Sequence, residues 1–296
     1  MKLTKEFRDY HRGILGPHYS GFEENLFNPK TRASIRVNTL KIGKKDVEKI
    51  LGENNIEYAD IPWCDSGLWT SNTNLDLIHH QLGYYYIQSA ASMIPAEALN
   101  PGEGDLVLDL CAAPGGKTTH ISQLMGNRGS VAANESSPPR IRALVYNIQR
   151  CAASNVYVTK QDGCRYYSEK PFDKILVDAP CSDVGTAPRN RKKIIQWRRG
   201  KSIKLSVVQK KLIHQAFRLL KPGGVLVYST CTTPLEENEH VIQYLLEREE
   251  TAKIKKIKLK GLDCAEGLSR KTRHCLRLLP QHSIGESYFI AKIEKK

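Results

Sequence analysis

The sequence predicts an α/β protein, in which a mostly parallel sheet is covered by helices on both faces and follows a small α+β domain. From residue 105 onward, short apolar runs alternate with longer segments of helical spacing, and this alternation is typical of a parallel sheet. Residues 1–80 lack the alternation and mix strand-like with helical patterns. We therefore predict a small domain over 1–80 and a larger domain over 81–296.

The elements of the larger domain follow from hydrophobic pattern and turn residues. Apolar runs, several introduced by Gly or Pro turns, indicate buried strands, and they lie at 106–110, 129–133, 155–158, 174–177 and 224–228. Helical spacing predicts helices at 117–125, 139–151 and 207–220. The final run, 288–292, is expected to form an antiparallel strand at the edge of the sheet.

The first 80 residues are expected to form the α+β domain. Residues 34–40 alternate as a strand does, and 45–51 have the spacing of a short amphipathic helix. Further strand material lies at 57–69, where Pro62 and Gly67 interrupt it.

The charge balance favours a polyanionic partner. The chain has 45 Lys and Arg against 31 Asp and Glu, a formal net charge of +14. Such a surface attracts phosphate backbones, so nucleic acid is the first candidate.

The eight cysteines predict neither a metal site nor a disulfide framework. No Cys-x-x-Cys pair is present, so zinc is not expected and a reducing compartment is the simpler interpretation. The start of the chain is charged, and no run approaches the roughly 18 apolar residues of a membrane span. We expect a cytoplasmic protein.

A glycine-rich loop between a strand and a helix predicts a nucleoside cofactor. The segment Asp109-Leu-Cys-Ala-Ala-Pro-Gly-Gly-Lys117 turns into a helix, where glycine lets a ligand approach the backbone. A nucleotide triphosphatase loop is disfavoured, because its spacing needs glycine where Cys111 stands. Glu135 and Asp162 follow the next two strands and are expected to bind the ribose hydroxyls and the adenine amino group.

At these motifs the chain resembles the RNA (cytosine-5) methyltransferases of the RsmB/Nop2/NSUN type. The resemblance covers almost the whole chain, through Arg36-Val-Asn-Thr-Leu-Lys41, Tyr86-Ile-Gln-Ser-Ala-Ala-Ser92, the loop 109–118, Asp178-Ala-Pro-Cys-Ser182 and Ser229-Thr-Cys-Thr232 followed by Glu236-Glu-Asn-Glu239. It implies a Rossmann-like, S-adenosylmethionine-dependent methyltransferase sheet behind a small RNA-binding domain. The short chain is most similar to compact archaeal tRNA enzymes, which implies that it acts on tRNA. We expect the protein to be a monomer.

The resemblance orders two cysteines that the sequence alone leaves open. Cytosine C5 is a weak nucleophile until a thiolate adds at C6, and a base must later remove the C5 proton. Spacing alone favours Cys181 as the attacking thiol, because it lies beside Asp178. The resemblance instead implies that Cys231 attacks, that Cys181 assists product release and that Asp178 hydrogen-bonds the base. A Cys231→Ala variant is then expected to be inactive, and a Cys181→Ala variant to accumulate a covalent adduct.

The predicted ligand contacts form two sets. The cofactor set comprises Cys111, Ala112, Ala113, Pro114, Gly115, Gly116, Lys117, Glu135, Arg140, Asp162 and Asp178. Cationic residues around an aromatic ring can bind phosphates and stack an unpaired base, and on that ground the RNA set includes Arg189, Arg191 and Trp197. The resemblance adds Arg36, Asn38 and Lys41.

The chain departs from the family pattern at three places. Glu135 replaces the commoner aspartate, Asp183 stands where glycine is usual, and 186–193 matches only loosely. Other functions remain open: methylation of rRNA, methylation of an exocyclic amine, and a noncatalytic RNA-binding or assembly role. The amine reaction is disfavoured because the Asp-Ala-Pro-Cys motif lacks a second proline and an aromatic residue.

Overall fold

The computed structural model describes residues 3–27, 32–71, 75, 77–186, 192–282 and 285–296. The N-terminal part contains an antiparallel four-stranded sheet, in the order β2-β3-β1-β4. Its elements are α1 (Lys5–Leu15), α2 (Tyr19–Phe27), β1 (Ala33–Val37), α3 (Lys44–Glu53), β2 (Tyr58–Asp60), β3 (Gly67–Thr70), α4 (Ile78–Gln81) and β4 (Tyr85–Ile87).

The second sheet has nine strands, eight of them in the order β11-β12-β13-β9-β8-β5-β6-β7, while β10 pairs with β13. Its elements are α5 (Ala90–Leu99), β5 (Leu106–Asp109), α6 (Gly116–Leu124), β6 (Ser130–Asn134), α7 (Pro138–Arg150), β7 (Val156–Thr159), β8 (Phe172–Asp178), α8 (Lys192–Ile195), α9 (Arg199–Leu219), β9 (Leu220–Thr230), α10 (Glu239–Leu246), β10 (Ala252–Lys255), β11 (Ala265–Glu266), β12 (Leu276–Leu278) and β13 (Tyr288–Lys295).

The five expected strands are confirmed as the parallel part of this sheet, β7-β6-β5-β8-β9. The predicted burial is wrong for β7, which lies at the edge of the sheet and has no buried residue. The last strand, β13, is antiparallel as expected, but its predicted placement at the edge is wrong. It is hydrogen-bonded to β9 on one side and to β12 and β10 on the other. Residues 252–278 supply those extra strands, and most of β13 is accordingly buried.

Helices cover both faces of the large sheet, and this is why the inner strands β5 and β6 are buried along almost their whole length. Successive residues of β5, Val107 and Leu108, enter opposite core clusters. One cluster includes residues of α5 and α6, and the other includes residues of α9 and α10. None of the helices in the described ranges is long and apolar enough to cross a membrane.

The two N-terminal helices, which the sequence patterns do not indicate, pack beside the loops that follow β8 and β9. Thr4 caps α1 by accepting a hydrogen bond from the Phe7 backbone N–H at 3.2 Å. Phe7 and Phe22 are fully buried in a cluster with Trp197. His11, also buried, lies 2.8 Å from the Thr233 hydroxyl through Nε2, so α1 is joined to the segment after β9.

Candidate active site

The two predicted cysteines meet at the carboxyl ends of adjacent parallel strands. Asp178, the last residue of β8, is in register with Ser229 of β9, whose hydroxyl donates to its Oδ1 at 2.7 Å. Cys231 follows β9 directly, and Cys181 lies three residues beyond Asp178. Their Sγ atoms are 3.2 Å apart, so both thiols can reach neighbouring atoms of one bound substrate.

A carboxylate faces both thiols. Asp183 Oδ1 accepts from Cys231 Sγ at 3.2 Å and lies 3.5 Å from Cys181 Sγ, while its Oδ2 pairs with Lys193 Nζ at 2.7 Å. The hydrogen bond with Cys231, together with burial, raises the pKa of the Cys181 thiol. Burial would raise the pKa of Asp183, but Lys193 and the two thiols outweigh it and lower that pKa. The resting site therefore holds an ionised carboxylate and a protonated Cys181.

A buried glutamate fixes the loop that carries Cys181. Glu237 is fully buried and accepts from the Ser182 backbone N–H at 2.9 Å, from the Ser182 hydroxyl at 2.5 Å and from Gln209 Nε2 at 3.0 Å. Its own carbonyl accepts from the Tyr228 hydroxyl at 2.7 Å. In the sequence it is visible only as one of three acids in the Glu236-Glu-Asn-Glu239 motif, with no sign of this role. Its position shows that it joins β9 to the Cys181 loop.

Asp178 also holds the lysine at the start of α6. Lys117 Nζ lies 2.7 Å from Asp178 Oδ2, and its side chain is 12% exposed. Burial alone would lower the pKa of Lys117, but the Asp178 carboxylate raises it. Nearby, burial raises the pKa of Asp109 to about 7, although the Thr118 hydroxyl donates to it at 2.7 Å. The site thus has the Lys117 cation fixed beside Asp178, and a second acid, Asp109, whose pKa is about 7.

The glycine loop is shaped by close contacts with the neighbouring strand and helix. The Ala112 N–H donates to the Asn134 carbonyl at the end of β6, at 2.9 Å. Gly115 adopts a φ of +106°, where a side chain would be strained, and an added Cβ would lie 3.1 Å from Leu144 of α7. Glycine is therefore required at this turn between β5 and α6.

A cavity of about 260 Å³ runs from the acids after β6 and β7 to the two cysteines. It is lined by Glu135, Arg140, Asp162, Cys181 and Cys231, among others. A polar, acid-lined cleft at strand ends fits a nucleoside with ribose hydroxyls and an amino group. The residues present therefore fit a nucleoside cofactor.

Three members of the predicted cofactor set are already hydrogen-bonded to one another or to nearby backbone. Glu135 is 4% exposed at its side chain, pairs with Arg140 at 3.0 Å and accepts from the Ser137 N–H at 2.9 Å. Arg140 donates to the Ala113 carbonyl at 2.6 Å. Asp162 accepts from the Cys164 N–H at 2.9 Å. These bonds orient the acids before any ligand binds.

A second cavity, of about 310 Å³, lies between the N-terminal sheet and the glycine loop. The two cavities share Cys111, Ala113 and Asp178. Four residues predicted for the cofactor line only this second cavity, namely Ala112, Pro114, Gly116 and Lys117, and it also contains Tyr86, Gln88, Ser89, Glu286 and Tyr288. Asp178 thus lies where a ligand in one cavity would meet a ligand in the other.

The structure corrects three of the predicted RNA contacts. Trp197 is 1% exposed, packs edge-on against Phe7 at 5.7 Å and donates to Ser202, so its ring cannot stack on a base. Arg36 and Asn38 are each 1% exposed, and their polar groups are used inside the protein. Arg36 donates to Gln88, Gln123, Thr119 and the Gly116 carbonyl, and Asn38 donates to the carbonyls of Gly83 and Cys151.

The predicted RNA contacts of Lys41, Arg189 and Arg191 stay predictions. Lys41 is exposed and donates to the Leu82 carbonyl at 2.8 Å. Arg189 and Arg191 lie outside the described residues.

Comparison with known proteins places the whole chain in one family. A family model described as 16S rRNA methyltransferase RsmB/F matches residues 96–294, and one described as the N-terminal domain of 16S rRNA methyltransferase RsmF matches residues 3–90. A Pyrococcus abyssi protein named tRNA (cytosine(49)-C(5))-methyltransferase is 37% identical over 100% of this chain and 99% of its own. Ribosomal RNA small subunit methyltransferase F of Klebsiella pneumoniae is 38% identical over 89% of this chain, which spans only 57% of that relative.

Solved structures agree over almost the full length. A methyltransferase homolog protein from Pyrococcus horikoshii is 32% identical with a TM-score of 0.85, covering 99% of this chain and 95% of its own. The structure titled NSun6 from Pyrococcus horikoshii with SFG is 25% identical with a TM-score of 0.89, covering 99% and 98%.

Proposed function

The chain belongs to the RsmB/F family of RNA methyltransferases, and we propose that it methylates carbon C5 of cytosine in RNA. S-Adenosylmethionine is the cofactor, and when bound it supplies an electrophilic methyl group. The observation that carries the proposal is the pair of thiols 3.2 Å apart where the acid-lined cavity ends. Methylation of an exocyclic amine requires no thiol, whereas C5 methylation requires a nucleophile at C6.

Each residue of the site receives a distinct role in this proposal. The Cys231 thiolate adds to C6, which makes C5 electron-rich enough to accept a methyl group. Cys181 then assists release by taking the C5 proton, so that the double bond re-forms and Cys231 leaves. Asp178, held by Lys117 and Ser229, would orient the base through its polar edge.

The cofactor would be held by the residues of the acid-lined cavity. Glu135 and Asp162 face this cavity from the ends of consecutive strands, and Arg140 pairs with Glu135. Cys111 and Ala113 also line it. This set provides carboxylates for hydroxyl and amino groups of a nucleoside, and each of its charged side chains has a partner of opposite charge or a backbone donor.

Among RNAs we favour tRNA, because the chain matches the Pyrococcus abyssi tRNA enzyme from end to end. By comparison, it spans 57% of the length of the rRNA enzyme from Klebsiella pneumoniae. The named position of the tRNA relative, cytosine 49, is the first position to test. Methylation of rRNA is the second candidate, because both matching family models are described by 16S rRNA enzymes.

Methyl transfer to defined RNAs tests the proposal. Purified protein, labelled S-adenosylmethionine and unmodified tRNA or 16S rRNA transcripts should yield 5-methylcytosine in tRNA. A tRNA with uracil at position 49 is the matched control. Label in another nucleoside would contradict the chemistry, label in 16S rRNA alone would contradict the substrate, and no label with either RNA would support a noncatalytic role. Action as a monomer in the cytoplasm stays a prediction.

A further inference from the structure

The carboxylate between the two thiols has no role in the scheme above. Asp183 is fixed by three contacts: Cys231 Sγ at 3.2 Å, Cys181 Sγ at 3.5 Å and Lys193 Nζ at 2.7 Å. Its side chain is 36% exposed and that of Lys193 is 34% exposed. An acid that contacts the sulfur of a nucleophile is placed to exchange a proton with it.

The backbone of Asp183 adopts a conformation that glycine adopts more readily than other residues do. Asp183 has a φ of +58°, in the left-handed region. Aspartate is one of the residues that tolerate this region at modest cost. Because the loop conformation suits glycine, which is usual in the resembling family, the aspartate adds a functional group without requiring a different loop.

The other two acids near the thiols, Asp178 and Glu237, already use both carboxylate oxygens in hydrogen bonds with other residues. Both oxygens of Asp178 are engaged, by Lys117 and by Ser229. Both oxygens of Glu237 are engaged by Ser182 and Gln209. Among the described residues, Asp183 is the acid whose oxygen contacts Cys231 Sγ directly.

We propose that Asp183 is a further catalytic residue, whose carboxylate accepts the Cys231 thiol proton during attack and returns it when the sulfur leaves. The inference rests on the proposed function. It assigns a proton acceptor that the two-cysteine scheme leaves unnamed.

The proton and electrons balance over the cycle. As the S–H bond of Cys231 breaks, the proton moves to Asp183, the sulfur pair forms the S–C6 bond, and the C5–C6 π pair moves toward C5. After methyl transfer, Cys181 takes the C5 proton as a thiolate, having released its own proton to solvent. The C5–H pair re-forms the C5–C6 double bond, the S–C6 bond breaks onto sulfur, and Asp183 returns its proton to Cys231. Cys181 is then protonated, and one proton has been released overall.

The groups that face Asp183 determine how a charge change is detected. They are Lys193 from α8 and the two thiols. The charge of Glu237 also acts on Cys181 and raises the pKa of its thiol. A carboxylate beside a sulfur opposes formation of a second negative charge there. Neutralising Asp183 is therefore expected to make Cys231 more reactive toward a simple alkylating agent, although it removes the proton acceptor needed during catalysis.

The test compares these two readouts in Asp183→Asn and Asp183→Gly, with Asp60→Asn as the matched surface control. Asp60 is 74% exposed at its side chain and pairs with Lys44. Alkylation of Cys231 by iodoacetamide at pH 7, followed by peptide mass spectrometry, requires neither RNA nor cofactor. We expect about tenfold faster alkylation in Asp183→Asn and about 100-fold slower methyl transfer in both Asp183 variants. EDTA in the alkylation assay, which contains no RNA, removes any cation that the two thiols and the carboxylate could bind.

Opposite changes in the two readouts support the inference when Asp183→Asn unfolds in urea at the wild-type midpoint. That check is needed because a loop that had lost its structure would expose Cys231 and would also lose transfer. Methyl transfer within twofold of wild type in Asp183→Asn would overturn it. So would alkylation that is unchanged or slower. A wild-type protein that methylates no RNA would instead refute the proposed function, while the alkylation result would stand by itself.

Discussion

Replacing Glu135 by alanine tests the cofactor site without RNA. Glu135 lines the acid-lined cavity and its side chain is 4% exposed. A hydrogen bond to a charged group contributes about 1.5–3 kcal/mol. Loss of about 2 kcal/mol corresponds to a dissociation constant for S-adenosylmethionine that is about 30-fold higher.

The same substitution should affect stability much less. It removes the acceptor of the Ser137 N–H, which costs about 1 kcal/mol. The pair with Arg140, whose side chain is 54% exposed, adds little because solvent screens it. Titration calorimetry measures the affinity, and urea unfolding checks the fold. Glu135→Gln keeps one acceptor oxygen and is expected to lose less affinity.

Asp60→Ala serves as the control, because Asp60 is an exposed acid on β2. Affinity of Glu135→Ala within twofold of wild type, in a protein that still unfolds cooperatively, would refute the assignment of Glu135 to the cofactor.

Three further predictions concern packing and pH. Trp197→Ala should lower the free energy of unfolding, measured in urea, by about 3–5 kcal/mol. Trp197→Phe should bind RNA as tightly as wild type does. Weaker RNA binding by Trp197→Phe would contradict a purely structural role for Trp197. Gly185→Ala should lower the free energy of unfolding by about 1–3 kcal/mol and slow methyl transfer. The reason is that the new Cβ would lie 2.1 Å from the Ser287 carbonyl oxygen and 2.8 Å from that of Cys231. A fully active variant of unchanged stability would show that the segment after Cys181 can shift freely. Burial lowers the pKa of His11 from 6.5 to about 3. Between these two pH values the unfolded chain binds a proton at His11 that the folded chain does not. The stability that is present above pH 6.5 is therefore lost as the pH falls toward 3. His11→Phe should lose less in Tm between pH 7.5 and pH 5 than wild type, and an equal loss would contradict this.

The strand-end chemistry can be predicted from the sequence because it depends on local pattern. Each parallel strand contains a short apolar run, and the carboxyl ends of such strands share one edge of the sheet. The sequence alone therefore places Asp178 and Cys231 near each other. The pairing of β13 with three strands depends on long-range contacts of 252–278, which no local pattern contains.

The errors at Trp197, Arg36 and Asn38 have a common physical cause. Chain proximity to basic residues and family resemblance both favour RNA contacts for these side chains, but exposure depends on tertiary contacts. The α1 and α2 helices bury Trp197, and α6 supplies partners for Arg36. The prediction for 1–80 rests on strand-like alternation and one amphipathic segment, and neither feature indicates α1 or α2.

Attack of Cys231 on cytosine C6 can be observed by trapping the covalent protein–RNA intermediate. Cys181→Ala should form a protein–RNA complex that survives denaturing electrophoresis, because Cys231 attaches to C6 while product release is blocked. The double variant with Cys231→Ala should form none, and wild type should show at most a trace. A stable complex in Cys231→Ala that is absent in Cys181→Ala would contradict the assigned order of the two thiols. The absence of any complex, together with full methyl transfer by Cys231→Ala, would contradict covalent catalysis itself.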